Sequence, residues 1–213
     1  MITIEAIVGV LNEELVLNPA EATDGSGASV TLALRNTLRW LSRQGNWKCL
    51  HKTATAALVN GTTNIAQPAD FNNLDAITLN DGTYNKEPLT PLEDGYNEWL
   101  TNRHNEPSNN YSEPKHYAER GTTYYLDPIS DTDYTATLAY WAIHATDAAG
   151  LAAIAFPDVF ELALCYAVIS NYLNSKGRHE KAVYYRALAE AELDELRDGF
   201  EDKITRPIKY NDL

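Results

Sequence analysis

The spacing of apolar residues changes twice along this chain. Ile4, Ile7, Val8, Leu11 and Leu15 recur at the three-and-four spacing that lines one helical face, which predicts a helix from about Thr3 to Val16. Asn18-Pro19 and Asp24-Gly25-Ser26-Gly27 punctuate a loop, and Val30, Ala33, Leu34, Leu38 and Leu41 then predict a second helix that ends at Gly45, with Ser26 or Ser29 as its cap. From Trp47 the period becomes that of a strand. Asn60-Gly61 between Leu58-Val59 and Ile65, and Asp81-Gly82 between Ile77, Leu79 and Tyr84, read as two-residue hairpin turns, because both dipeptides tolerate the left-handed angles such turns demand. Pro91 to Leu100 holds a short helix carrying Tyr96, Trp99 and Leu100. The stretch that follows, to Pro114, with Asn102, Asn105, Asn109 and Asn110, reads as a long exposed loop. Strands return at Thr122 to Leu126, and again where Tyr134, Ala136, Leu138 and Tyr140 alternate with Thr135, Thr137, Ala139 and Trp141.

After Gly150 the helical period comes back. Pro157 suits a first helical position, and Asp158 and Glu161 complement the helix dipole of a segment that runs to Ser175 and closes at Gly177. A last helix from about His179 to Asp198 places Ala182, Tyr185, Ala189, Leu193 and Leu196 on one stripe and ends at Gly199. The fold class that follows is α+β. A four-helix domain is formed by the two chain ends, residues 1–46 and 150–198, with an antiparallel β domain, sandwich or barrel-like, inserted at 47–149. An extended arm occupies 199–213.

Charge changes the picture by removing partners. The 213 residues hold 17 Lys and Arg against 30 Asp and Glu, a formal net charge of -13 at pH 7. Such a surface repels phosphate and gains nothing from counterion release, which disfavours tight duplex binding. Cys49 and Cys165 are far apart, with Cys165 in an apolar run where a thiol acts as a small hydrophobe, and a reducing compartment of synthesis is expected. Met1-Ile2-Thr3-Ile4-Glu5 has no cationic stretch before an apolar one, so no signal peptide is expected. The most apolar stretch, Ala148 to Leu173, is broken by Pro157-Asp158, Glu161 and Ser170, which argues against a membrane span.

Catalytic patterns are lacking: there is no G-x-S-x-G, Walker loop, G-x-G-x-x-G or C-x-x-C. His51, His104, His116, His144 and His179 show no ligand spacing and are expected at the surface or in loops; no cofactor or metal is expected. Asp127, Asp131 and Asp133 have the oxygen chemistry for calcium, but around Pro128 they read as turn residues bonding the backbone. Of the 13 Tyr and four Trp, most sit at core spacing, with Tyr96, Trp99 and Tyr111 the candidates for exposure.

Two features point to assembly. Leu162-Ala163-Leu164-Cys165-Tyr166-Ala167-Val168-Ile169 wants burial on every side of its helix, either as a central helix wrapped by its neighbours or as one shared with another subunit. Arg35, Arg39 and Arg43 lie one turn apart on one helical face, either solvated or docked on an acidic surface of a neighbour, for which the last helix offers Glu190, Glu192, Asp194 and Glu195, with nucleic-acid binding a minor third reading.

Several short strings, in order, carry a resemblance. They are Pro68-Ala69-Asp70-Phe71, Pro114-Lys115-His116-Tyr117 followed by Gly121, Tyr125-Leu126-Asp127-Pro128, Asp133-Tyr134 with Leu138 and Tyr140, Phe156-Pro157-Asp158, and Glu180-Lys181-Ala182 before Tyr184-Tyr185. Over roughly residues 28 to 198 the chain resembles the head-to-tail adaptor proteins of short-tailed bacteriophages, the tail tubular protein A and tail accessory factor group. The resemblance implies a structural, non-enzymatic virion protein at the head-tail junction, made in the host cytoplasm. It implies a homo-oligomeric ring, commonly a dodecamer, bound to the portal protein and to a tail or nozzle protein, through which DNA passes without specific binding. It also assigns the arm to the portal, through Phe200, Ile204, Arg206, Pro207, Ile208 and Tyr210, residues too apolar for a solvating tail and too few to bury themselves. Two other readings stand beside it: a carbohydrate-binding or adhesive tail protein that exposes its aromatics, and a cell-wall hydrolase with paired carboxylates.

Overall fold

The computed structural model describes residues 2, 27–105, 111–146 and 154–201. The helix expected at 3–16 therefore lies outside the described residues. The class is mixed α+β, and contacts divide the chain into two units, Met1–His51 with Ala142–Leu213, and Lys52–Trp141. Among the described residues the first unit holds helices α1 (Gly27–Ser42), α3 (Glu161–Ser175) and α4 (His179–Phe200), while α2 (Gly95–Asn105) belongs to the second.

In the first unit α1 buries Ala33, Leu34, Leu38 and Leu41 as their spacing dictates, each leucine contributing about 1.5–3 kcal/mol by leaving water. Two of its hydroxyls are buried too, and each donates to a carbonyl one turn back: Thr37 to Ala33 at 2.8 Å and Ser42 to Leu38 at 2.7 Å. Thr37 also accepts a bond from the Asn171 amide at 2.8 Å, which ties α1 to α3. The helix starts at Gly27 and its hydrogen-bonded turns finish at Ser42, so Ser29 lies inside it and Gly45 three residues beyond it. There Gly45 faces the Glu201 carboxylate so closely that a Cβ would lie 2.7 Å from Oε1.

An aromatic hub fills this unit. The Phe160 ring meets Trp47 edge-on with centroids 5.2 Å apart, tilts against Phe156 at 5.2 Å and receives Phe200 edge-on at 5.5 Å. Such pairs contribute about 0.5–1.5 kcal/mol each beyond the area they bury. Pro157 precedes a short 3-10 turn, Asp158–Phe160, rather than standing inside the α-helix, and α3 begins at Glu161. At its far end the Arg178 N–H donates to Leu173 O (3.0 Å) and the Gly177 N–H to Asn174 O (3.1 Å), the pair of bonds of a Schellman motif, with Gly177 at φ +74°.

Helix α4 does not stop at Gly199. It carries on through Phe200 because that ring is held on the hub, and the next residue closes the end. The Glu201 N–H donates to Arg197 O (3.0 Å), while its carboxylate accepts from the Asn46 N–H (3.3 Å) and the Arg197 guanidinium (3.3 Å). Lys48 adds a bond to Gly199 O at 3.1 Å. The first residues assigned to the arm are thus part of the helical unit, and residues 202–213 lie outside the described set.

The second unit contains two sheets. One has the strand order β1 (His51–Leu58), β7 (Tyr134–Ala142), β3 (Phe71–Asn80); the other runs β2 (Asn64–Ala66), β6 (Thr123–Asp127), β5 (His116–Arg120), β4 (Thr90–Pro91). Strands β2, β6 and β5 are antiparallel, but β4 runs parallel to β5, so the second sheet is not purely antiparallel. Both sheets feed one core: Leu58, Ile77, Leu79 and Leu138 from the first, Ile65, Tyr124 and Leu126 from the second. Tyr134, Ala136, Leu138 and Tyr140 are the buried alternation of β7.

The hairpin expected at Asn60-Gly61 does not form. The turn is there, with Gly61 at φ +85° and a Thr62 N–H to Val59 O bond of 2.9 Å, but it carries the chain from one sheet to the other. The Asn60 N–H is claimed by Asp133 (2.9 Å) and the Gly61 N–H by Ser130 O (2.8 Å), which leads the chain away from β1. At Asp81-Gly82 a return does occur, through a single bridge between Asn80 and Asn85, and the Asp81 carboxylate accepts the N–H groups of Thr83 and Tyr84, each at 2.9 Å.

The α2 helix extends five residues beyond Leu100, because its second half has partners that the local pattern hides. Asn102 donates to Asp127 (2.8 Å), and Arg103 reaches both Leu126 O (3.1 Å) and Asp127 (3.3 Å).

Candidate functional site

The described surface presents its most unusual chemistry on two helices of the first unit. On α1 the face opposite the buried leucines carries Leu32, 56% exposed, with Asn36, Arg39 and Arg43. The arginine row does not act as one set. Arg39 and Arg43 are exposed, whereas Arg35 is half-buried on the flank of that face with its Nε lacking a hydrogen-bond partner among the described residues. Neither Arg39 nor Arg43 forms an ion pair among the described residues.

On α4 the outward face changes character along its length. Val183 and Tyr184 are 69% and 61% exposed and are followed by exposed Ala187 and Ala191. Farther along, the same side shows Glu190, Asp194 and Glu195, while Glu192 is half-buried on another side. Within α4 Glu190 meets Arg186 at 3.2 Å and Asp194 meets Arg197 at 3.0 Å. Exposed pairs one turn apart contribute only about 0.3–0.5 kcal/mol, so these carboxylates are loosely held. Arg186 is fixed chiefly by Trp40, over whose ring its guanidinium lies at 3.6 Å.

The apolar run of α3 resolves in favour of a wrapped central helix: from Ala163 to Ile169 all residues are buried except half-buried Tyr166, and Leu162 remains 45% exposed. Among the histidines, His144 is not at the surface. It is 5% exposed and stacked on Phe156 at 5.9 Å; its Nε2 accepts the Ala155 N–H (2.9 Å) and its Nδ1 lies 2.6 Å from Ala145 O, which fits a neutral ring protonated on Nδ1. His51, His116 and His179 are exposed, and the His104 side chain lies outside the described residues.

The candidates in the second unit are held by their own neighbours. Asp127 serves Arg103 and Asn102, Asp131 accepts the Tyr134 hydroxyl (2.8 Å), and Asp133 accepts the Asn60 N–H. No group of three or more metal-ligating side chains occurs among the described residues. Tyr96 and Trp99 are half-buried, stacked on each other at 5.3 Å and both against Tyr125 at 4.8 Å, with Arg120 over Tyr96 at 4.4 Å. Those ring faces are occupied, and of the three aromatics expected outside only Tyr111, 46% exposed, is. Tyr84 and Tyr184 are more exposed than any of them. Tyr184 was legible as a departure from the α4 stripe; Tyr84 gave no signal.

With these surfaces in view, the family profile of the SU10 adaptor protein matches residues 7–209. The chain belongs to the SU10 adaptor protein family. A search of curated proteins returns no significant match. The family is one of bacteriophage adaptor proteins, so this adaptor has a structural role at the head-tail junction of a virion, next to portal and tail. No described helix is long and apolar enough to cross a membrane.

The strings that carried the resemblance have structural addresses in the adaptor. Asp70 accepts Lys52 (2.7 Å) and the Tyr140 hydroxyl (2.8 Å), and Phe71 stacks on Tyr140 at 6.0 Å. Partial burial raises the Asp70 pKa, but those hydrogen bonds and the Lys52 charge outweigh it and hold the carboxyl below the ordinary range. Leu126 O receives the Trp99 indole N–H at 2.9 Å, and Phe156 belongs to the aromatic hub.

Proposed function

We propose that this adaptor forms a homo-oligomeric ring beneath the portal, links it to the tail or nozzle protein, and lets DNA pass without holding it. The observation that carries this reading is the pair of outward helix faces. A folded unit whose Arg39 and Arg43 have no ion pair among the described residues, and whose second helix exposes Val183 and Tyr184, is suited to a partner of the same construction, and family membership supplies the setting. The resemblance to short-tailed phage adaptors favours twelve copies.

The net charge of -13 supports the transport part. Acidic walls repel the DNA backbone, so a moving duplex meets no chain of ion pairs to break, and the lumen is accordingly assigned an acidic lining. A structural role of this kind requires no cofactor and no catalytic group.

Attachment to the portal is assigned to the segment after Glu201, with Ile204, Arg206, Pro207, Ile208 and Tyr210 as contacts. Phe200 is engaged by Phe160 in its own subunit, so the attachment begins from a helix end that is already pinned. Removing residues 202–213 should leave a folded protein with unchanged helical content that no longer co-sediments with portal. Undiminished co-sedimentation would move the attachment into one of the two folded units.

A further inference from the structure

Spacing along the two outward helix faces carries the account further, resting on the ring reading above. On α1, Leu32 and Arg39 are separated by two heptad-spaced turns; on α4, Val183 and Glu190, and likewise Ala187 and Asp194, are separated by the same interval. Seven residues of helix rise about 10.5 Å. An apolar contact at one end of each face is therefore matched, at the same distance and in the same chain direction, by a charge of opposite sign at the other. We infer that the outward face of α1 docks in parallel on the outward face of α4 of a second copy of this chain, Leu32 seated on Val183 and Ala187, with Arg39 and Arg43 reaching Glu190 and Asp194.

Charge complementarity selects the occupant. A second α1 face would oppose arginine to arginine, and a second α4 face carboxylate to carboxylate, so neither face is self-complementary. A contact between two different faces is heterologous and propagates head to tail, closing into a ring when the rotation allows. The loosely held carboxylates of α4 can exchange their intrahelical partners for a guanidinium fork shielded by the adjoining apolar contact, where water is partly excluded.

The test uses single-cysteine pairing in the full-length chain in the presence of its portal protein. Leu32→Cys and Val183→Cys are made separately; both sites are exposed enough to tolerate the change, which circular dichroism verifies. The native thiols give little background, since burial pushes both Cys49 and Cys165 up to about 11. Mixing the two variants under mild oxidant should give a disulfide-linked dimer that neither variant gives alone, and a chain carrying both substitutions should give a ladder. Arg39→Glu should abolish the ladder, and adding Glu190→Lys should restore it. Dimers of Val183→Cys alone would overturn the inference in favour of a two-fold contact. Intact rings without the mixed dimer would overturn it while leaving the ring reading in place. Wild-type protein that binds portal as a single copy would remove the ring reading, and this inference with it.

Discussion

The two units dispose of their charges in opposite ways. In the β-containing unit, Arg103 lies between Leu126 O and Asp127 with its guanidinium 5.4 Å from the Trp99 ring; Lys86 sits between Asp81 (2.8 Å) and Glu113 (3.2 Å), and Lys52 meets Asp70 at 2.7 Å. Asp81 is held well below the ordinary carboxylate range by its bonds from Lys86 and the Tyr84 and Thr83 amides. In the helical unit, by contrast, Arg39 and Arg43 have no ion pair among the described residues, and Glu190 and Asp194 of α4 meet only Arg186 and Arg197 of their own helix there. The β-containing unit pairs these three cations within itself; the helical unit keeps Arg39 and Arg43 in reserve. A substitution of a charge should therefore be felt as lost folding stability in the β-containing unit and as lost assembly in the helical unit.

The largest effect should come from the hub, which sets the baseline stability of the helical unit. Phe160→Ala removes the ring on which Trp47, Phe156 and Phe200 converge and should cost about 3–5 kcal/mol, read as a drop in thermal midpoint and early fraying of the Glu201 contacts with Asn46.

Next is the direct contrast between arginines. Arg103→Ala leaves Asp127 short of a charged donor and should cost about 2–3 kcal/mol in chemical denaturation without altering assembly of the surviving folded protein. Reversing Arg39 and Arg43 to Glu should leave the denaturation midpoint within about 0.5 kcal/mol of the parent while abolishing rings on portal. If both variants lose stability equally, the contrast between the units is wrong.

A smaller effect is expected at Gly177, whose φ of +74° makes any L side chain strained although the space is open. Gly177→Ala should cost about 1 kcal/mol by loosening the α3–α4 connection.

The smallest is a pH effect at Asp70. Its folded pKa is lowered, so its contribution is fully present above the unfolded value of about 3.9 and is lost as pH falls through the folded value. Lys52→Met should flatten that acid limb of the stability profile and leave the neutral region nearly unchanged.

Much of the helical unit was legible because helix periodicity is local. Leu34, Leu38 and Leu41, the run around Leu164, and Ala189 with Leu193 are buried where the spacing places them. The β unit was legible residue by residue but not in its pairing: the alternation of β7 is evident, whereas the turn at Asn60-Gly61 looks like a hairpin until Asp133 and Ser130 claim its amides from a distance. The same non-local cause hides the second half of α2, whose asparagines and arginine make sense only beside Asp127.

Of the assembly surface, the sequence showed the arginines and acids but not their sorting. Arg35 and Glu192 fall away from the exposed faces because helix geometry turns them inward, and the contribution of Leu32, Val183 and Tyr184 appears only once their exposure is known.

Imaging the full-length chain mixed with its portal protein tests the central claim most directly. The account predicts closed rings of adaptor coaxial with the portal, with α1 of each subunit against α4 of the next. Isolated single copies on the portal, or rings in which these two helices face solvent, would contradict it.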